Sequence, residues 1–302
     1  MPDARARARD RISDTADSRA GVASRVVTEQ SRYVLGSDEA EVARLDAQAA
    51  MSAPATALLL EAGGRISPGM RVLDLGTGLG HVAFDVANLV GPRGAVVGID
   101  RSMRLLEIAE QRRVAAGIHN VTFIEADVRT FQDAETFDAI VGRLILFHLP
   151  DAIEVLAHHM MALRRGGVVL AIDFDGGSIR AEPPVPLITT VRDWVEEAFR
   201  SAGANPVIGA RLALLLRRAG AADVTSFGVQ TYLAPGDPTG PGWIAGLVRS
   251  LAPRIIGAGS ATETELDVDT LQERVAQALD RSDSVLLPAT LVGAWGTAPS
   301  DS

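Results

Sequence analysis

Gly76, Gly78 and Gly80 stand two residues apart, directly after the apolar run Met70 to Leu75 and before the helix-compatible run His81 to Val90. That order predicts a strand, a tight turn and a helix. Glycine serves such a corner because the backbone takes positive φ there and a ligand can approach without a Cβ in the way. Asp74, at the strand's end, is an acceptor aimed into the same crevice. Two more acids close later apolar runs: Asp100 after Ala95 to Ile99, and Asp127 after Val121 to Ala126. In open α/β sheets ligands bind beyond the carboxyl ends of the strands, where the strand order reverses, so the glycine turn and the acids are expected to converge there.

Two cofactors compete for the glycine turn. Gly78-x-Gly80-x-x-Ala83, with Asp100 following about twenty residues on, satisfies a dinucleotide fingerprint and would suit a nicotinamide-dependent oxidoreductase. The longer form Asp74-x-Gly76-x-Gly78-x-Gly80 resembles the first motif of the class I S-adenosylmethionine-dependent methyltransferases, whose loop wraps the methionine part of the cofactor. Val96 to Asp100, Ile124 to Asp127 and Phe137 to Arg143 are similar to that family's second, third and fourth motifs. Phe147-His148-Leu149-Pro150-Asp151 and Leu163 to Gly167 match its later signatures. The resemblance covers about residues 68 to 175, in the cofactor half, and does not reveal the acceptor.

The resemblance implies an α/β protein with a doubly wound seven-stranded Rossmann-like sheet, N-terminal lid helices and a helical insertion before the last strand. The implied cofactor is S-adenosyl-L-methionine, held by Tyr33, Gln48, Asp74, Gly76, Thr77, Gly78, Gly80, Asp100, Arg101, Ser102, Asp127, Val128 and Arg143. A carboxylate offers only acceptors and a diol offers two donors, which places Asp100 on the ribose hydroxyls. Asp127 and the amide of Val128 are placed for the adenine edge. Tyr33 and Gln48 are candidates for lid contacts, because helices ahead of the first motif close over the cofactor in many such enzymes.

Methyl transfer from a sulfonium is a direct displacement, and holding the reacting atoms in line contributes on the order of 7–11 kcal/mol. A hydroxyl acceptor also needs a base. His148, just past the fourth strand, is one candidate, although His-Leu-Pro-Asp recurs in the family whatever the acceptor. Asp173 and Asp175, at the end of the fifth strand, are alternative bases or substrate anchors. Arg143 replaces the asparagine or aspartate often seen after the fourth strand and suits a carboxylate of substrate or cofactor, with a structural salt bridge as the plain alternative. His81 follows the glycine turn and His119 sits in a turn, so neither is expected to be chemical, while His158 and His159 fall within a helix without a metal partner at a supporting spacing, and no metal is expected. Phe147, Phe174, Trp194 and Trp243 are candidates for lining an apolar acceptor pocket.

The elements that must position these residues alternate from Met70 onward. Strands are expected at 70–75, 95–100, 121–127, 137–142 and 168–174, with helices at 81–90, 102–116 and 151–164 between them. Ahead of them, helices are expected at 39–51 and 55–62, with Ser37 or Asp38 as N-cap and Gly63-Gly64 as stop. Beyond residue 176 the expected helices are 187–202, 211–219, 243–256 and 263–279, with a strand at 223–233 and the last, antiparallel, strand within 284–295. The domains expected are a frayed Arg/Asp-rich arm to about residue 25, lid helices over 26–66, and a catalytic domain over 67–302 with added helices at about 236–282.

Composition narrows the partners. The formal charge is 29 − 38 = −9, which argues against a nucleic-acid backbone and favours a small-molecule acceptor. The fourth motif also lacks the Asp/Asn-Pro-Pro-aromatic box of enzymes acting on nucleic-acid amines. There is no cysteine, so thiol nucleophiles, thiolate zinc and iron–sulfur clusters are excluded. There is no lysine either, which removes Schiff-base chemistry and the P-loop lysine. No run of 18 or more apolar residues and no signal-peptide centre is present, so the expectation is a cytoplasmic protein without a membrane partner. A homo-oligomer is left open. The activity expected is methyl transfer to an oxygen, nitrogen or carbon of a small molecule, in secondary metabolism. The rivals are the oxidoreductase, a noncatalytic cofactor-binding protein, and cyclisation or decarboxylation on the bound sulfonium.

Overall fold

The computed structural model describes residues 39–63 and 65–299. The Arg/Asp-rich arm, Tyr33 and the expected N-caps Ser37 and Asp38 lie outside the described residues.

The first described element is helix α1 (Glu39–Ala62). An alternating series follows: β1 (Arg71–Leu75), α2 (His81–Val90), β2 (Ala95–Asp100), α3 (Met103–Ala115), β3 (Val121–Glu125), β4 (Phe137–Arg143), α4 (Ala152–Met160) and β5 (Leu163–Asp175). The remainder comprises β6 (Arg180–Glu182), α5 (Pro186–Ser201), α6 (Leu212–Arg218), β7 (Ala222–Val229), α7 (Thr239–Gly257), α8 (Glu263–Leu266), α9 (Leu271–Arg281), β8 (Val285–Leu287) and β9 (Thr290–Thr297). Seven strands form one sheet in the order β3-β2-β1-β4-β5-β9-β7. The first five are mutually parallel, whereas β9 runs antiparallel to both β5 and β7. The strand order reverses at β1, which lies between β2 and β4, and in sheets of this kind ligands bind beyond the carboxyl ends of the strands at that point.

Strand residues alternate between two apolar layers, as the pleat requires. Ala139 and Val141 of β4 join Leu59 and Leu60 of α1 and Val82, Val86 and Val90 of α2 on one face. Ile140 joins Val155 and Leu156 of α4 and Leu212 and Leu216 of α6 on the other. A third apolar cluster is separate from both. It combines Ile188, Val191 and Val195 of α5, Ile244, Val248 and Leu251 of α7, and Leu271 and Val275 of α9. The small antiparallel sheet of β6 and β8 closes this cluster through Ala181 and Leu286.

Several expected boundaries are corrected. The two helices expected before β1 are one 24-residue helix running through Pro54. Proline cannot supply the hydrogen bond to residue i−4, but Pro54 and Ala50 are both exposed, so the orphaned carbonyl lies on the solvent side. The helix expected to reach Arg164 stops at Met160, because Leu163 pairs with Phe137 and starts a 13-residue β5. The helix expected over 263–279 is broken at Asp267, whose φ of 36° ends α8, itself closed by a Thr262–Glu265 capping box. The strand expected to reach Leu233 ends at Val229, leaving a single bridge from Leu233 to Leu286. The last strand is split at Pro288, and β8 and β9 join different sheets.

Candidate cofactor crevice

At the carboxyl end of β1 the backbone turns through Gly76, Gly78 and Gly80, with φ of 67°, 52° and 81°. The three glycines are needed for different reasons. A Cβ on Gly76 would stand 2.7 Å from the Ile145 side chain, and one on Gly80 would stand 2.9 Å from the Phe84 ring. At Gly78 a Cβ would meet nothing within 4 Å. Gly78 is therefore the point at which the loop faces open space, and the room there fits a bound group lying along the turn.

Two carboxyls fasten the turn. Asp74 is buried beneath it and accepts a 2.6 Å hydrogen bond from the Thr77 hydroxyl, while the Thr77 amide donates to the Ile99 carbonyl at 2.9 Å. Burial pushes the Asp74 carboxyl up to about 7, against the pull of Thr77 and Arg143. Asp100 accepts from the Gly78 amide through one oxygen and from the Ser102 amide through the other, both at 2.9 Å. Burial raises its pKa as well, with those amides acting in the opposite direction. Ser102 also caps α3, its hydroxyl accepting from the Leu105 amide. Arg101, between them, is exposed.

The expected adenine edge is built by the turn after β3. Asp127 is exposed and accepts from the Arg129 amide at 2.8 Å, and Arg129 in turn bonds Asp151 at 2.9 Å. Val128 is buried, and its carbonyl is held at 2.7 Å by Nε2 of His159. Nε2 of His158 contacts the Phe131 carbonyl at 2.8 Å. The two histidines set aside for lack of a metal partner thus hold both ends of this turn. Their adjacency on a helix gave no sign of it, because the carbonyls they reach are not encoded by side-chain type. Burial lowers the pKa of His159 to about 4, so the ring is neutral near pH 7.

The far rim comes from β4 and β5. Arg143, at the end of β4, donates to the Ser52 hydroxyl of α1 at 2.9 Å, and Ser52 donates to the Gln48 carbonyl at 2.8 Å. Burial lowers the pKa of Arg143, while Asp74, Asp85 and Asp173 stabilise its charge. Gln48 is half-buried, and its side-chain oxygen lies 3.5 Å from Arg44. Ser52 was missed in the sequence, although Gln48, Ser52 and Thr56 recur every four residues as a polar seam on an otherwise Ala- and Leu-rich helix. A second tie joins α1 to the turn's helix: Asp46 contacts His81 at 3.0 Å and Arg112 at 2.8 Å.

Asp173 is buried and takes the Phe147 amide at 3.3 Å, which anchors the 3-10 turn Leu146–His148. Burial pushes its carboxyl up to about 8. His148 is driven the other way, to about 3, by burial and then by the charges of Arg101 and Arg44. Phe147 stacks edge-on against Phe199 of α5, 5.6 Å between centroids, and touches the apolar clusters on both sides. Phe174 packs with the α1 and α2 layer. Trp194 and Trp243 pack on the separate cluster of α5, α7 and α9. Among the described residues no group of three or more metal-ligating side chains occurs, and no helix is long and apolar enough to cross a membrane.

Fold and strand order together define an α/β domain of the doubly wound type. Residues 66–206 match the family described as a methyltransferase domain. This part of the chain is similar to that family. The chain is 34% identical over 125 residues to an aklanonic acid methyltransferase of Streptomyces sp. (strain C5), a stretch covering 40% of this chain and 57% of the relative. It is 32% identical over 106 residues to a demethylmenaquinone methyltransferase of Lactococcus lactis, covering 35% and 42%. The chain thus spans about half the length of the relatives it matches. The crystal structure of the YcgJ protein of Bacillus subtilis superposes with a TM-score of 0.53 at 15% identity, over 82% of this chain and 99% of that one. That likeness concerns the fold alone.

Proposed function

We propose that the protein is an S-adenosylmethionine-dependent methyltransferase acting on a small-molecule acceptor of secondary metabolism, in the cytoplasm and without a nucleic-acid partner. The observation that carries the reading is the Asp100 carboxylate between the amides of Gly78 and Ser102, beside the one glycine of the turn that faces open space. Each carboxylate oxygen has a second lone-pair direction, which leaves acceptors for a diol. The longer pattern Asp74-x-Gly76-x-Gly78-x-Gly80 sets the nicotinamide reading second. The net charge of −9 supports the exclusion of nucleic acid.

When bound, the cofactor supplies a methyl group already activated on a sulfonium. The chain's own part is to hold and enclose. Asp100 orients the sugar, the turn of Asp127 and Val128 lies along the base, and α1 acts as the lid, tied down through Ser52 and Asp46. For a hydroxyl acceptor, Asp173 is the better base. A pKa of about 8 is matched to proton transfer near neutrality, whereas His148 at about 3 is too weak an acceptor of protons. The relatives, named for aklanonic acid and demethylmenaquinone, support an organic acceptor.

Calorimetric titration with S-adenosylhomocysteine and with NADH tests the cofactor. Tight NADH binding with no response to S-adenosylhomocysteine would overturn the reading. Incubation with S-adenosylmethionine and a metabolite panel, followed by mass spectrometry, should reveal an acceptor that gains one methyl group.

A further inference from the structure

β7 is the outermost strand of the seven, and among the described residues β9 is its only strand partner. One row of its amides and carbonyls therefore points away from the sheet. Natural proteins protect such a row with lysine, proline, a bulge or a covering element, because an open edge pairs with any strand that reaches it. The opposite edge follows that practice: β3 is only five residues long and ends in Glu125, with Asp127 close behind. β7 is less guarded. Its bulge at Asp223, where φ is 50° and the register shifts, comes before a regular run from Thr225 to Val229. Six of its eight residues are exposed, Phe227 by 48%.

Charge narrows the occupant. No charged residue occurs from Val224 to Gly236, in a chain whose formal charge is −9. A foreign strand of either sign would be selected by opposite charges along the edge, and this run offers none. A second copy of so acidic a chain is repelled by its net charge and needs a neutral seam. The run from Val224 onward is such a seam.

We propose that two copies of the protein join antiparallel through β7, so that their seven-stranded sheets run on as one. The two faces of the strand agree with this pairing. Gly293, which pairs with Phe227, lies against Leu59 of α1, so Thr225, Phe227 and Val229 share the α1 face and Ser226 and Gly228 the other. A two-fold axis perpendicular to the sheet keeps each face on its own side. Centred on Phe227, it sets that ring opposite Phe227 of the partner subunit, Thr225 opposite the partner's Val229 and Ser226 opposite the partner's Gly228. Aromatic and β-branched pairs of this kind stabilise antiparallel strands, and a contact between identical patches closes at two copies. The assembly is independent of what the glycine turn binds.

Light scattering after size-exclusion chromatography of the full chain, followed across micromolar concentrations, should show a dimer. Phe227→Lys and Phe227→Glu each set like charges face to face on the axis and should weaken association roughly 100-fold or more. Mixing the two variants should restore a heterodimer, which a misfolded strand could not do. Thr122→Lys, at an exposed position of β3, should leave the dimer intact. Amides of residues 225–229 should exchange hydrogen more slowly in the parent than in Phe227→Lys. A monomeric parent, a dimer that survives Phe227→Lys, or a mixture of the two charge variants that stays monomeric would each overturn the assignment.

Discussion

Gly78 and Asp100 are twenty-two positions apart in sequence, and the amide of one lies 2.9 Å from a carboxylate oxygen of the other. The same carboxylate reaches the Ser102 amide, so one side chain joins the turn after β1 to the turn after β2. Asp100→Ala removes the partner of both amides and the proposed ribose acceptor together. S-adenosylhomocysteine affinity should fall by about 1–3 kcal/mol, the range for stripping a buried polar partner. Asp100→Asn keeps one acceptor and should lose less. Unchanged affinity in both variants would remove Asp100 from the ribose site.

The glycines of the turn should separate stability from binding. Gly78→Ala places a Cβ in open space at φ 52°, so the cost to the fold is about 1–2 kcal/mol of left-handed strain. The methyl then occupies the room proposed for the ligand, and titration should show binding weakened far beyond the stability loss. Gly76→Ala carries the same kind of strain and a 2.7 Å clash with Ile145, so its thermal midpoint should fall further. Equal midpoints with equal affinities would remove this distinction.

Asp173 predicts a pH dependence whose sign follows from its burial. The folded carboxyl holds its proton to about 8, whereas the ordinary value is 3.8. Its contribution to stability is complete below the lower value and is lost as pH rises toward the upper one, because the unfolded chain gives up the proton first. Asp74, at about 7, acts in the same direction. Thermal midpoints should decline from pH 5 to 8.5, and Asp173→Asn should flatten that decline without abolishing it. With a hydroxyl acceptor, turnover should rise as pH passes about 8 and collapse in Asp173→Asn. A nucleophile that needs no deprotonation would show no such rise.

His159 is expected to matter without touching chemistry. Removing its bond to the Val128 carbonyl by His159→Ala should cost about 1–3 kcal/mol of stability. Adenosine affinity should fall together with S-adenosylhomocysteine affinity. The ring titrates near 4 rather than the ordinary 6.5, so the stability it lends is present above the ordinary value and is lost as pH falls toward 4. Chemical denaturation at pH 7.5 and pH 4.5 should therefore show a smaller difference between variant and parent at the lower pH.

The turn after β1 was legible in the sequence because its signal is local. A strand, three glycines and a following helix fix the turn within ten residues, and acids at strand ends mark the rim. What was not legible depends on partners distant in the chain. His159 is a helix residue until Val128, thirty-one positions earlier, is seen to lie against it, and Ser52 needs Arg143, ninety-one positions on. The break expected between residues 51 and 55 did not occur, since Asp46 before Pro54 is bonded to Arg112 and Leu59 and Leu60 after it pack in the layer with α2. Leu163 was assigned to a helix because periodicity cannot register the pairing with Phe137 that draws it into β5.

The cluster of α5, α7 and α9 is filled by its own aliphatic residues and meets the layers around the sheet at Phe147. Substitutions there can repack that cluster while leaving the layers around the sheet alone. A chimera that exchanges α5, α7 and α9 for those of a relative, with α6 and β7 kept as parts of the sheet layers and Phe147 retained as the shared joint, is the natural route to changing one cluster without the other. Under the function proposed above, such swaps would let one cofactor half serve many products.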